Sequence, residues 1–227
     1  NYFMSKFGHF MGNSLMRNII GQRQSSFNFD EVIEGKKILL VNLSKGKIGE
    51  MNAHMLGLIL ISKLQVAILN RAHKDANERH PFYLYVDEFQ NFVTDTFTSI
   101  LSESRKYGLG AHLTNQYLAQ LPENIQEAVL GNVGTLLAFE VGAEDAELMC
   151  KEFEPLEVTD FTGLPRFNFY IKLMVAGKTS PAFSGISIPP PAAINSSLNR
   201  TVILEHNRLA YGIPELLAQH LIGQQLK

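Results

Sequence analysis

Apolar side chains follow two rhythms along this chain. Phe10, Met11, Leu15, Met16 and Ile19 recur at helical spacing, which predicts a short helix from about Gly8 that ends at Gly21. Ile38-Leu39-Leu40-Val41-Asn42-Leu43 is instead a continuous apolar run of strand length, the pattern of a strand buried on both faces of a parallel sheet. A loop at 44–47 and a long helix over about 50–72 follow, then a polar loop at 73–80. The alternation continues with strand 82–86, helix 96–107, strand 111–114, a helical stretch at 124–130, strand 135–140, helix 143–153 and strand 169–175. Strands that alternate with helices predict right-handed crossovers, hence an α/β fold with a mostly parallel sheet and helices on both faces. Ser187-Ile188-Pro189-Pro190-Pro191 can continue neither helix nor ladder, so a boundary falls there. Beyond it, 202–209 and 214–226 read as two helices, with Gly212 ending the first and Pro214 opening the second. The expected organisation is a main domain over 1–190 and a short helical extension over 191–227.

Composition changes this picture little. The 227 residues are 45% hydrophobic and 19% charged, enough to bury a full core. A net charge of −2 gives no global attraction to nucleic acid or membrane, so a contact with DNA needs a local patch. Lys36, Lys37, Lys45 and Lys47 are the nearest to one; they read first as solubilising loop lysines, with backbone binding to DNA as the alternative. The single cysteine, Cys150, excludes an intrachain disulfide and reads as a small buried hydrophobe. The most apolar stretch, Met55 to Leu69, is interrupted by Lys63 and Gln65 and is read as a buried helix too short to cross a bilayer. The first residues, Asn1-Tyr2-Phe3-Met4, fit a processed end, an expression remnant or a cut through a longer protein.

Candidate chemistry concentrates in one place. Phe82-Tyr83-Leu84-Tyr85-Val86-Asp87-Glu88 is an apolar strand that ends in two adjacent carboxylates, the geometry of a Walker B motif. Such a strand aims Asp87 at the carboxyl edge of the sheet, where it can hold the Mg²⁺ that bridges nucleotide phosphates, and leaves Glu88 to polarise the attacking water. The competing interpretation is a strand that ends at an acidic turn or helix cap. The following helix ends at Ser104-Arg105-Lys106-Tyr107-Gly108, where Arg105 also suits the negative end of the helix dipole. The next strand tip, Thr114-Asn115-Gln116, places Gln116 where a γ-phosphate sensor belongs. The seven histidines show no close pair with metal-ligand spacing, and Ser102 and Ser104 have no His-Asp partners for a hydrolase triad.

Three segments then carry a family resemblance. Tyr85-Val86-Asp87-Glu88-Phe89-Gln90-Asn91-Phe92, Leu101 through Leu109 and Thr114-Asn115-Gln116 resemble the TraG/TraD-type conjugative coupling ATPases of the HerA–FtsK superfamily of hexameric DNA pumps. The similarity continues through Gly131-Asn132-Val133-Gly134-Thr135, Val141 to Ala146 and Leu164-Pro165-Arg166-Phe167, and so covers most of residues 30–190. It implies a RecA-like motor domain that uses ATP and Mg²⁺. It further implies Asp87 as metal ligand, Glu88 as catalytic base, Gln116 as a nucleotide-contacting sensor and Arg105 as an arginine finger for a neighbouring subunit. The matching region is the part of that family called the relaxosome-recognition, or TraM-recognition, domain. The implied partners are DNA bound without sequence preference, the relaxosome and other copies in a ring. The implied place is the bacterial cytoplasm, at the cytoplasmic face of an inner-membrane apparatus.

The departure is as informative as the match. No Gly-x-x-x-x-Gly-Lys-Ser/Thr phosphate loop occurs anywhere in the chain. The nearest lookalike, Gly177-Lys178-Thr179, has Lys172 where the first glycine is required, and Ser180-Pro181 opposes the helix that must follow. It reads as a turn after a strand. The chain therefore resembles the later portion of the motor, and alone it is expected to be inactive. The rival readings are a non-catalytic module that binds the relaxosome or a partner ATPase, and part of a secretion-powering ATPase of the same superfamily.

Overall fold

Asn13 and Asn28 open the first two helices by the same device. Asn13 accepts from the Met16 backbone N–H and precedes α1 (Ser14–Ile20); Asn28 accepts from Asp30 N–H and precedes α2 (Phe29–Glu34). The structure, a computed structural model, describes residues 8, 12–192 and 196–225. The helix expected from Gly8 is seen over Ser14–Ile20, and Phe10 and Met11 lie outside the described residues. The chain divides into two units. One takes the residues up to Ala67 with those from Ala192 onward, the other Ile68–Pro191.

In the first unit, the run 38–43 is not a strand. It is extended but takes no ladder partner among the described residues, with Ile38 88% and Leu40 82% exposed. A strand exists only where neighbours satisfy its N–H and C=O groups, and an apolar run supplies none of these itself. A single helical turn, Lys45–Ile48, leads through Gly49 into α3 (Glu50–Asn70). Glu50 sits at the positive end of the α3 dipole, and Lys45 Nζ lies 2.8 Å from it. That hydrogen bond, and then the lysine's charge, hold the Glu50 carboxyl below its ordinary value. Only one stripe of α3 is buried, Ala53, Gly57, Ile61, Leu64, Ala67 and Ile68, at helical spacing; Met51, Val66 and Leu69 are exposed. The fully buried helix read from the sequence is thus half right. Its length was read correctly, but not its reach: Glu50–His73 is long and apolar enough to cross a membrane by length and composition, a criterion that core helices meet too.

The second unit carries β1 (Phe82–Val86), α4 (Asp95–Glu103), β2 (Leu109–Leu113), α5 (Glu123–Asn132), β3 (Leu136–Ala138), α6 (Ala143–Glu152), α7 (Val158–Thr162) and β4 (Asn168–Lys172). The short strands β5 (Met174–Val175), β6 (Lys178–Thr179) and β7 (Phe183–Ile186) complete it. β1 and β2 run parallel, Phe82 opposite Leu109 and Val86 opposite Leu113, as a β-α-β crossover requires. The α/β class holds. The later strands, expected as further parallel members, instead form an antiparallel sheet in the order β3-β4-β7. For β4 and β7 the reason is connection length: only ten residues separate them, too few for a parallel crossover, and they are spent on the β5–β6 hairpin. The connection from β3 to β4 is long enough for a crossover, and its length does not explain their antiparallel pairing. That hairpin contains Gly177-Lys178-Thr179. Ala176 and Gly177 both have positive φ, 49° and 79°, the signature of a type I′ turn rather than a phosphate loop.

The apolar core of this unit gathers Phe89, Phe97 and Ile100 with Leu118, Leu121, Ile125 and Val129, and α4 packs on α5. Phe153 meets Phe161 edge-on at 5.6 Å, and Phe161 meets Tyr170 at 5.5 Å, which ties α6 and α7 to β4. β1 is not buried on both faces. Val86 is buried, but Tyr83 and Tyr85 are exposed and flank His112, Tyr85 stacking on it at 4.4 Å. After Pro191 the chain continues in α8 (Ser196–Tyr211), longer than the helix expected over 202–209, and α9 (Glu215–Gln225), close to the one expected over 214–226. α9 packs on α1, where Asn18 Nδ2 donates to Glu215 Oε1 at 3.3 Å.

Candidate functional site

The parallel ladder does not stop at the last strand residues. Thr114 N–H donates to Val86 O at 3.0 Å, and Phe89 N–H donates to Thr114 O at 3.0 Å. Two further main-chain bonds therefore lock the residues after β2 beside those after β1. Alternation along an extended segment puts Thr114 and Gln116 on one side, facing Asp87 and Glu88. Thr114 Oγ1 donates to Asp87 Oδ1 at 2.6 Å, and Gln116 Nε2 donates to Glu88 Oε1 at 2.6 Å. Hydrogen bonds to ionised acceptors are short and strong, so each carboxylate is aimed by a polar side chain of the next strand tip.

Glu88 itself is in the left-handed region, φ 52° and ψ 47°. A side chain with a Cβ in that region costs about 1–3 kcal/mol, and such positions cluster where function demands an unusual direction. The surroundings hold it there. Asn91 donates to Glu88 O twice, from its backbone N–H at 3.0 Å and its Nδ2 at 2.9 Å, while Glu88 N–H donates to Asp87 Oδ1 at 3.1 Å. Gln90 Nε2 donates to the second carboxylate oxygen, Oε2. The next residue, Phe89, is buried and stacks on Phe97 with centroids 6.0 Å apart. The turn is thus anchored in the core below and presents carboxylates above.

Asp87 is exposed, and its Oδ2 takes no hydrogen bond among the described residues. One free carboxylate oxygen suits Mg²⁺, which is held by one or two carboxylates plus substrate phosphates and water. Among the described residues no group of three or more His, Cys, Asp or Glu could hold a metal by itself. A cation here would take its other ligands from water or phosphate oxygens.

Arg105 is placed elsewhere. It lies in the 3₁₀ turn Ser104–Tyr107 before β2, at the amino end of the strand pair, while Asp87, Glu88 and Gln116 occupy the carboxyl end. Five residues of strand separate the two by about 16 Å. Asp87, Glu88 and Gln116 meet, and the exposed Arg105, expected to serve a neighbouring subunit, stands apart from them.

The sequence reading gave no role to several residues that build this region. Asp145, in the first turn of α6, is 4% exposed, and its carboxylate accepts from Leu118 N–H at 3.0 Å and Ala119 N–H at 2.8 Å. It pins the segment directly after Gln116. Arg71 is 2% exposed and donates from Nη1 to Tyr107 O at 2.7 Å and from Nη2 to His80 O at 2.6 Å. Arg79 Nη1 donates to Lys106 O at 2.8 Å. Gly108 closes the turn with φ 80°, where a Cβ would stand 3.1 Å from Arg71 Nη1. The sequence carried a signal only for Thr114, which shares the strand period of Gln116.

Residues 81–151 match a protein-family model described as the TraM recognition site of TraD and TraG. This segment is a TraG/TraD-type C-terminal region. The TraG/TraD-type region runs from Pro81 through Lys151 and contains Asp87, Glu88, Arg105, Gln116 and Asp145 together. No curated protein matches the chain. Among solved structures, the chain is similar to the bacterial conjugative coupling protein TrwBdeltaN70 in its unbound form, at 11% identity. That match covers 62% of this chain and 37% of the coupling protein, with a TM-score of 0.47. A second similar structure is the genome packaging NTPase B204 from Sulfolobus turreted icosahedral virus 2, in complex with AMPPCP. It is 14% identical, over 69% of this chain and 71% of that one, with a TM-score of 0.47. The match thus spans little more than a third of the coupling protein's length.

Proposed function

We propose that this chain is the later portion of a RecA-like, hexameric ATPase that couples ATP hydrolysis to conjugative DNA transfer through a type IV secretion apparatus. Its place would be the bacterial cytoplasm, at the cytoplasmic face of the inner membrane. The observation that carries this reading is the wiring of one strand tip to the next, Thr114 on Asp87 and Gln116 on Glu88. A strand-end carboxylate pair, each member aimed by a polar residue of the neighbouring strand, is what a nucleotide-hydrolysing site needs on its Walker B side. Mg²⁺ bound here would supply charge neutralisation on the nucleotide phosphates. Asp87 would hold it through Oδ2, and Glu88 would accept the proton of the attacking water. Gln116 would pass the state of the γ-phosphate to the strand pair. Arg105, far from its own subunit's carboxylates, would serve the nucleotide of a neighbour. The backbone cradle for phosphate has to come from sequence outside this chain, and the chain alone is expected not to turn ATP over.

The test is subunit mixing in the longer protein that carries a phosphate loop. Arg105→Ala rings should lose turnover on the order of a thousandfold while single subunits bind ATP normally. Mixing them with Glu88→Gln subunits should restore part of the activity, because each supplies what its neighbour lacks. Arg105→Ala rings that hydrolyse ATP at the unsubstituted rate would return Arg105 to a surface charge at a helix end.

A second reading has its own support in the family match, whose description names recognition of TraM. In it, residues 81–151 dock a relaxosome protein without hydrolysing nucleotide. Alanine at Asp87 and Glu88 would then leave DNA transfer intact while surface substitutions on α6 abolish it.

A further inference from the structure

We infer that Gln90 is the positioning residue that keeps Glu88 in its working direction, an inference that rests on reading Glu88 as the base. The two oxygens of the Glu88 carboxylate are held by different amides, Oε1 by Gln116 and Oε2 by Gln90. These two glutamines sit on supports of opposite character. Gln116 is exposed, on a strand tip of the neighbouring strand. Gln90 is half-buried in the 3₁₀ turn Phe89–Phe92, whose neighbour Phe89 is 1% exposed and fixed by stacking and by its bond to Thr114 O.

The other end of the Gln90 side chain shows what sets its direction. Gln90 Oε1 is buried and has no hydrogen-bond partner among the described residues. Turning the amide over would bring Oε1 against the Glu88 carboxylate, two acceptors face to face. The side chain therefore leaves an acceptor unsatisfied, at a cost to stability, in order to direct its N–H at Glu88. A residue present for packing alone would be better served by an apolar side chain of the same length. The arrangement divides the work. Gln90 is the standing tether on Oε2, and Gln116 is the exchangeable partner on Oε1. When Gln116 turns toward a phosphate, Oε1 is released to accept a proton from water while Oε2 stays anchored, so the left-handed Glu88 does not swing away.

Gln90→Met removes the donor and the orphaned acceptor together at nearly constant length. In the longer ATPase it should lower kcat by roughly tenfold to a hundredfold, the range expected when a reacting group loses its alignment, with KM unchanged. In the present chain the same substitution should leave the thermal midpoint unchanged or raise it. The side-chain amide protons of Gln90 should resonate away from free glutamine in the unsubstituted chain and return to free values in Glu88→Ala. A lowered midpoint with unchanged kcat, or free-glutamine resonances before substitution, overturns the inference. Loss of activity in Glu88→Gln but not in Gln90→Met overturns the inference alone and leaves the functional reading standing. Unchanged turnover in Glu88→Gln overturns the functional reading, and the inference with it.

Discussion

The two ends of the β1–β2 pair are built in opposite ways. At the carboxyl end, side chains bind side chains: Thr114 to Asp87, Gln116 and Gln90 to Glu88. At the amino end, arginines bind main-chain carbonyls: Arg71 to Tyr107 and His80, Arg79 to Lys106, and Arg79 also stacks over the Tyr107 ring at 5.5 Å. A side-chain pair can separate and re-form through rotamer changes, whereas a guanidinium that bridges carbonyls fixes the backbone itself. The amino end is therefore scaffold. It holds the turn that carries Arg105 without using the Arg105 guanidinium, which stays exposed. The carboxyl end has the exchangeable contacts that a site with changing occupants needs.

The comparison breaks first at Arg71. Arg71→Ala should destabilise the chain by about 3 kcal/mol, because two bonds from a buried charged donor vanish and two carbonyls lose a partner. Denaturant unfolding measures this, and Arg71→Lys should recover little, since one ammonium cannot reproduce the fork. A loss under about 1 kcal/mol would mean that the amino end is not held as described. Next is Asp145→Ala, which orphans the Leu118 and Ala119 N–H groups and should cost about 2 kcal/mol. Amide hydrogen exchange should speed up at 118 and 119 while β1 keeps its protection; uniform loss of protection would make Asp145 part of the general core. Smallest is Thr114→Val. It removes one exposed hydrogen bond and should cost about 1 kcal/mol or less, yet loosen Asp87. An Asp87 carboxyl resonance indifferent to the substitution would remove Thr114 from the site.

Periodicity located most elements but not α2, α7, β6 or β7, and two of its errors have specific reasons. A strand is a statement about partners, and the apolar run 38–43 matches a strand in every local respect but finds no ladder among the described residues. The hairpin β5–β6 was hidden because Lys178-Thr179 is too short to show alternation. Asp87 and Gln116 were legible because a strand end and a period of two fix their directions; Glu88 was legible as the next carboxylate, but its direction is set by the left-handed turn. Gln90 and Asp145 were not. Their roles depend on which backbone N–H or carboxylate lies opposite, and that is a long-range fact.

By itself, then, the sequence determined the parallel β-α-β unit, the two carboxylates at its edge and the lack of a phosphate loop. Each of these is encoded in local spacing. Only the tertiary structure decided that the later strands turn back antiparallel and that Glu88 is bent into the left-handed region. These outcomes follow from strand pairing and hydrogen bonds between residues distant in sequence, and no window along the chain contains them.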